Sequence, residues 1–155
     1  MPLVAFYHLE RTSLEKALPQ LLEKTVNLGK RALVLAGSEE RVDVLNAHLW
    51  TYHQDSWLPH GGNKDGDPLE QPIWLSVKDE NSNNADFLFL TDGAESMQMD
   101  VFERCFVIFN GTVEAAVIAA RRGWKKYNEA GYELTYWQQS TSGSWEKSTG
   151  TMERG

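Results

Sequence analysis

Ala32-Leu33-Val34-Leu35-Ala36-Gly37-Ser38 is the stretch on which the fold turns. Its apolar residues follow one another with no polar position between them, the pattern of a strand covered on both faces in a parallel sheet. Gly37 lets that strand turn into a helix, and Ser38 is a residue type that caps one by accepting from the free N–H groups of its first turn. Val42, Leu45 and Leu49 then recur at helical spacing. A buried strand running directly into a helix is the repeating unit of an α/β domain.

The same unit opens the chain. Val4-Ala5-Phe6-Tyr7-His8-Leu9 is a short β-rich run, and Thr12 and Glu15 have the spacing of a capping box. Leu14, Ala17, Leu18, Leu21, Leu22 and Val26 form one stripe ahead of Gly29, which is placed as a helix stop. Pro19 predicts a kink, or a helix that starts near it, because it has no backbone N–H to donate. Further strands are expected at 73–77, 87–91, 105–109 and 132–138. A long helix over about 112–129 opens after Asn110-Gly111 and closes at Ala130-Gly131. Gly- and Asp-rich residues 61–68 and polar residues 79–84 read as loops.

At 155 residues the chain suits one domain with one sizeable core. The expected fold is a single α/β domain over 1–138, a mostly parallel sheet flanked by helices, with a Ser- and Thr-rich tail over 139–155 expected to be mobile. No apolar run reaches the roughly 18 residues a membrane helix needs, and a cytoplasmic location is expected. Cys105 is the one cysteine, set in Cys105-Phe106-Val107-Ile108-Phe109, and reads as a buried structural thiol. A net charge of −7 argues against a broad electrostatic grip on nucleic acid, so any role there is expected to be indirect.

The usual catalytic signatures are missing. Gly29-Lys30 is followed by Arg31 where a phosphate loop needs Ser or Thr, and no G-x-G-x-x-G follows the early strands. His8, His48, His53 and His60 lack zinc-ligand spacing. No catalytic residue, metal or cofactor is expected. Two constellations suit binding instead. Leu49 to Gly62 packs Trp50, Tyr52, Trp57, Pro59 and His60 into one short stretch, and such rings are enriched at interfaces. Trp50 fits a core position equally well. On the late helix, Arg121, Arg122, Lys125 and Lys126 gather four of the fifteen basic residues. Arg121, Trp124 and Lys125 have the spacing to share a face, where a guanidinium, an ammonium and an apolar ring suit a carboxylate with an apolar neighbour. Against this, cations are favoured at helix ends by the dipole, and Trp124 also continues the core stripe of Val113, Ala116, Val117 and Ala120.

At these constellations the sequence resembles the chi subunit of DNA polymerase III. The resemblance is carried by Phe6-Tyr7-His8-Leu9, by Gly29-Lys30-Arg31-Ala32-Leu33-Val34, by Leu49-Trp50 through Trp57-Leu58-Pro59-His60, and by Ala120-Arg121 through Gly131-Tyr132. It implies a nucleotide-binding-like fold without a phosphate loop, and a non-catalytic subunit that links two partners in DNA replication. One is the acidic, Phe-ended C-terminal tail of single-stranded DNA-binding protein, mapping onto Arg121, Trp124 and Lys125. The other is the psi subunit, or another clamp-loader component, mapping onto Trp50, Trp57, Pro59 and His60. The chain departs from the family pattern at Trp124, where the pattern carries a tyrosine, and at Gly123 and Val117, where it carries basic residues. The alternatives are a nucleotide-processing enzyme with its site beyond the carboxyl ends of the strands, and a weak direct binder of single-stranded nucleic acid.

Overall fold

Residues 32–38 form a buried strand that passes into a helix capped by Ser38, whose Oγ accepts from the Arg41 N–H at 3.2 Å. The computed structural model describes residues 2–50, 60–62 and 67–148. In chain order the elements are β1 (Leu3–Leu9), α1 (Leu14–Asn27), β2 (Ala32–Leu35), α2 (Glu39–Trp50), β3 (His60–Gly61), β4 (Ile73–Ser76), β5 (Phe87–Leu90), β6 (Arg104–Asn110), α3 (Glu114–Glu129), β7 (Glu133–Gln139) and β8 (Trp145–Ser148). The strands make one eight-stranded sheet in the order β3-β4-β2-β5-β6-β1-β7-β8. Every pairing is parallel except β7 with β8.

Alternation along the strands divides the core into two layers. Ala5, Tyr7 and Leu9 face one side with the buried residues of α1 and α2, while Val4 and Phe6 face the other with Ala120, Trp124 and Tyr127 of α3. A central strand therefore has no polar side, as the run at 32–36 requires. Both long helices end on a glycine in the left-handed region. Gly29 (φ 74°) follows α1 and Gly131 (φ 93°) follows α3, and each lets the next residue reach back to the last turn: Lys30 N–H to the Thr25 carbonyl and Tyr132 N–H to the Tyr127 carbonyl, both at 3.1 Å.

Two local expectations are corrected. α1 starts at Leu14, so Pro19 lies inside the helix and is not its start; its buried ring joins the core, which offsets the missing donor. The capping box does not form. Ser13 holds the N-cap position without a side-chain bond, Thr12 Oγ1 accepts from Gln139 Nε2 at 2.8 Å, and Glu15 pairs with Arg41 at 2.7 Å. β7 runs through Gln139, one residue past the expected boundary at 138, and Trp145–Ser148, within the stretch expected as a tail, returns as an antiparallel strand. The Trp145 ring meets Tyr7 edge-on at 4.8 Å, apolar burial that a Ser/Thr-rich composition conceals.

Gln139 ties this edge to the start of α1. Its buried Oε1 accepts from the N–H groups of Glu10 at 2.9 Å and Arg11 at 2.8 Å. Gln139→Ala strands both donors and is expected to lower stability by about 2 kcal/mol, measurable as a shift of the urea midpoint at constant slope.

Candidate functional site

α3 lies over β6, β1 and β7, and its sequence divides it by angle. At about 100° per residue, Ala120, Trp124 and Tyr127 point at the sheet, while Arg121 and Lys125 fall together on one flank about 40° apart. Ala120, Trp124 and Tyr127 are 4%, 6% and 8% exposed, Arg121 is half-buried, and Arg122, Lys125 and Lys126 are exposed. Among the described residues no carboxylate lies in ion-pair contact with any of these four cations. In an acidic protein that leaves a local positive surface.

Trp124 does not stand on that surface. Its ring meets Phe6 edge-on at 5.2 Å and Tyr136 at 6.2 Å, so it continues the core stripe and holds α3 to β1 and β7. The structure thus brings Arg121 and Lys125 together on the surface and puts Trp124 beneath them.

The flank next to β7 carries a polar cluster that the sequence does not announce. The His8 ring lies between Phe109 of β6 (4.8 Å) and Tyr136 of β7 (5.9 Å). Its Nδ1 is 2.6 Å from Tyr136 Oη, and its Nε2 is 3.3 Å from Glu10 Oε1. Gln138 Nε2 donates to the same Tyr136 oxygen at 3.2 Å. Burial lowers the His8 pKa below the ordinary histidine value; the Glu10 charge acts against that shift and the Arg121 charge acts with it. Burial likewise raises Tyr136, and Arg121 lowers it. Arg121 precedes by three residues Trp124, whose ring meets Tyr136 at 6.2 Å, and its charge acts on both rings. His8 and Tyr136 are 128 residues apart and meet only because β1 and β7 pair in register, which no local pattern reveals.

Of the aromatic constellation, the structure describes the backbone of Trp50 and His60. Trp50 is the last residue of α2, and His60 opens β3, the edge strand beside β4. Trp57 and Pro59 lie outside the described residues. The β3 edge that His60 opens and the strands beneath α3 thus lie in opposite halves of the strand order.

A cleft of about 620 Å³ opens at the carboxyl ends of β1, β5 and β6, where α/β sheets commonly bind ligands. Its floor includes Phe6, Leu90, Val107 and Phe109, and its rim includes Glu15, Asp92 and Glu95. Arg41, the rim cation, is already held by Glu15 at 2.7 Å and Asp92 at 3.1 Å. Such a rim repels phosphate. Cys105 is fully buried, its thiol pushed up to about 12 by burial, which makes it a poor nucleophile. Among the described residues no His, Cys, Asp and Glu side chains gather in a group able to hold a metal ion, and no helix is long and apolar enough to cross a membrane.

Residues 1–135 match the family described as DNA polymerase III chi subunit, HolC. The chain is also similar to a protein of Rickettsia prowazekii (strain Madrid E) described as a probable DNA polymerase III subunit chi. The two are 32% identical over 111 residues, 67% of each chain.

Proposed function

Since the chain belongs to the DNA polymerase III chi subunit family, and so to the accessory subunits of that polymerase, we propose that it is a non-catalytic adaptor of DNA replication. In this reading the flank of α3 holds the acidic, Phe-ended tail of single-stranded DNA-binding protein. Trp50, Trp57, Pro59 and His60 meet psi or another clamp-loader subunit.

The observation that supports the first contact is the placing of Arg121 with Lys125 on one flank, with no carboxylate in ion-pair contact among the described residues, in a protein of net charge −7. A guanidinium can take a carboxylate by two parallel hydrogen bonds, and a lysine one turn on adds a second positive charge for an acidic segment. Trp124 supports the site from below: it fixes the helix on the sheet and so fixes where the two cations stand. Separation of the β3 edge, which His60 opens, from the strands under α3 suits a protein that must hold two partners at once.

Calorimetric titration with a peptide copying that tail, and with the same peptide lacking its last Phe, tests this function. Binding is expected to depend on the Phe and to weaken with salt. Arg121→Ala and Lys125→Ala are each expected to weaken it by at least about 1 kcal/mol, the scale of a lost charge-assisted hydrogen bond. Unchanged affinity in both variants removes the site assignment.

A further inference from the structure

We propose that His8 is a protonation-sensitive positioning residue of the acidic-peptide site, setting with Glu10 the charge that a bound peptide meets beside Arg121. The inference rests on the reading of the α3 flank given above.

The geometry assigns the resting state of the ring. Gln138 Nε2 donates to Tyr136 Oη at 3.2 Å, which leaves the tyrosine hydroxyl to donate to His8 Nδ1, 2.6 Å away. With Nδ1 accepting, the single proton of a neutral imidazole sits on Nε2, and that atom faces Glu10 Oε1 at 3.3 Å. The groups whose charge or protonation acts on His8 come from three directions: Glu10 just past the end of β1, Arg121 from α3, and Tyr136 from β7. β6 and the turn after it supply only Phe109 and Gly111, which are uncharged.

With His8 neutral, Glu10 keeps its negative charge, which an acidic peptide approaching Arg121 must meet. With His8 protonated, Glu10 is neutralised by its own neighbour, and the positive charge of Arg121 is left over. Nδ1–H then donates to the Tyr136 oxygen, whose own O–H stays intact and turns away from the imidazole. Acidic peptide and proton thus favour each other. Binding an anion raises the His8 pKa above its value in the free protein, so binding takes up a proton and tightens as the pH falls. The ring is 14% exposed and burial lowers its free pKa, which places the change below histidine's ordinary 6.5.

The experiment is titration of the full chain with a synthetic acidic peptide ending in Phe, at several pH values, for the wild type, His8→Gln and Glu10→Gln. Alongside it, the His8 imidazole resonance is followed by NMR with and without peptide. Affinity of the wild type is expected to rise about threefold or more from about pH 8 to about pH 5.5, the effect of one added charge at the edge of the site. His8→Gln is expected to lose that dependence. Glu10→Gln is expected to bind more tightly than wild type at the higher pH, and peptide is expected to raise the wild-type His8 pKa. The NMR shift and Glu10→Gln carry the test by themselves if His8→Gln folds poorly. Binding that is flat with pH, or a pH dependence that survives in His8→Gln, overturns this inference and leaves the Arg121 site standing. Absence of binding at every pH overturns the site itself, and this inference with it.

Discussion

Trp124→Ala is expected to destabilise the protein by about 3–5 kcal/mol, the cost of deleting a large buried ring from a core that cannot close over the gap. The ring is 6% exposed, rests edge-on against the fully buried Phe6 at 5.2 Å, and reaches Tyr136 at 6.2 Å. It is thus one of the few large side chains joining α3 to both β1 and β7. Against a total stability typically of about 5–15 kcal/mol, a loss of this size moves the urea midpoint by a large fraction of its value. Trp124→Tyr keeps a ring against Phe6 and is expected to cost only about 1–2 kcal/mol. The pair separates two roles for one residue. If Trp124 were a surface contact for the peptide, its removal would cut affinity and leave the midpoint within about 0.5 kcal/mol, as ordinary surface substitutions do. The packing predicts the reverse order: stability falls first, and affinity falls only as far as α3 loses its seat.

The residues that were legible in the sequence are those whose role is local. Ala32–Leu35 reads as a doubly buried strand because no polar residue interrupts it, and Gly29 and Gly131 read as helix stops because a positive φ there has few other occupants. Arg121 and Lys125 were legible as a flank because four residues is one helical turn. What failed was the choice between competing local partners. Thr12 and Glu15 have capping-box spacing, yet Gln139 and Arg41 claim them from elsewhere in the fold. β8 stayed hidden because Trp145 is the single large apolar residue in a polar stretch, and its value lies in the edge of Tyr7, 138 residues earlier. The His8 cluster was illegible for the same reason. A lone histidine in a strand gains meaning only when the parallel partner strand delivers a tyrosine to it.

Gly111→Ala tests that cluster from its tightest point. A methyl group added at Gly111 would overlap the His8 imidazole and stand 2.9 Å from the Leu9 carbonyl oxygen, closer than a carbon can settle. The Leu9 carbonyl cannot easily retreat, because it accepts the Gly111 N–H at 2.7 Å and belongs to a strand paired on both sides. The ring must leave instead, giving up the Tyr136 bond and stacking, the Glu10 contact and its tilted contact with Phe109. The expected loss is about 2–4 kcal/mol, overpacking together with a broken buried hydrogen bond. A double-mutant cycle with His8→Ala identifies the cause. In the His8→Ala background the same methyl group meets open space where the ring stood, and Gly111→Ala is expected to cost less than half as much. Equal cost in both backgrounds would place the strain at the Leu9 carbonyl and not at the ring. Because Gly111 lies outside α3, which carries Arg121 and Lys125, Gly111→Ala is also expected to weaken the pH dependence of peptide binding while leaving its salt dependence in place, since the cations remain and only the group that tunes them has moved.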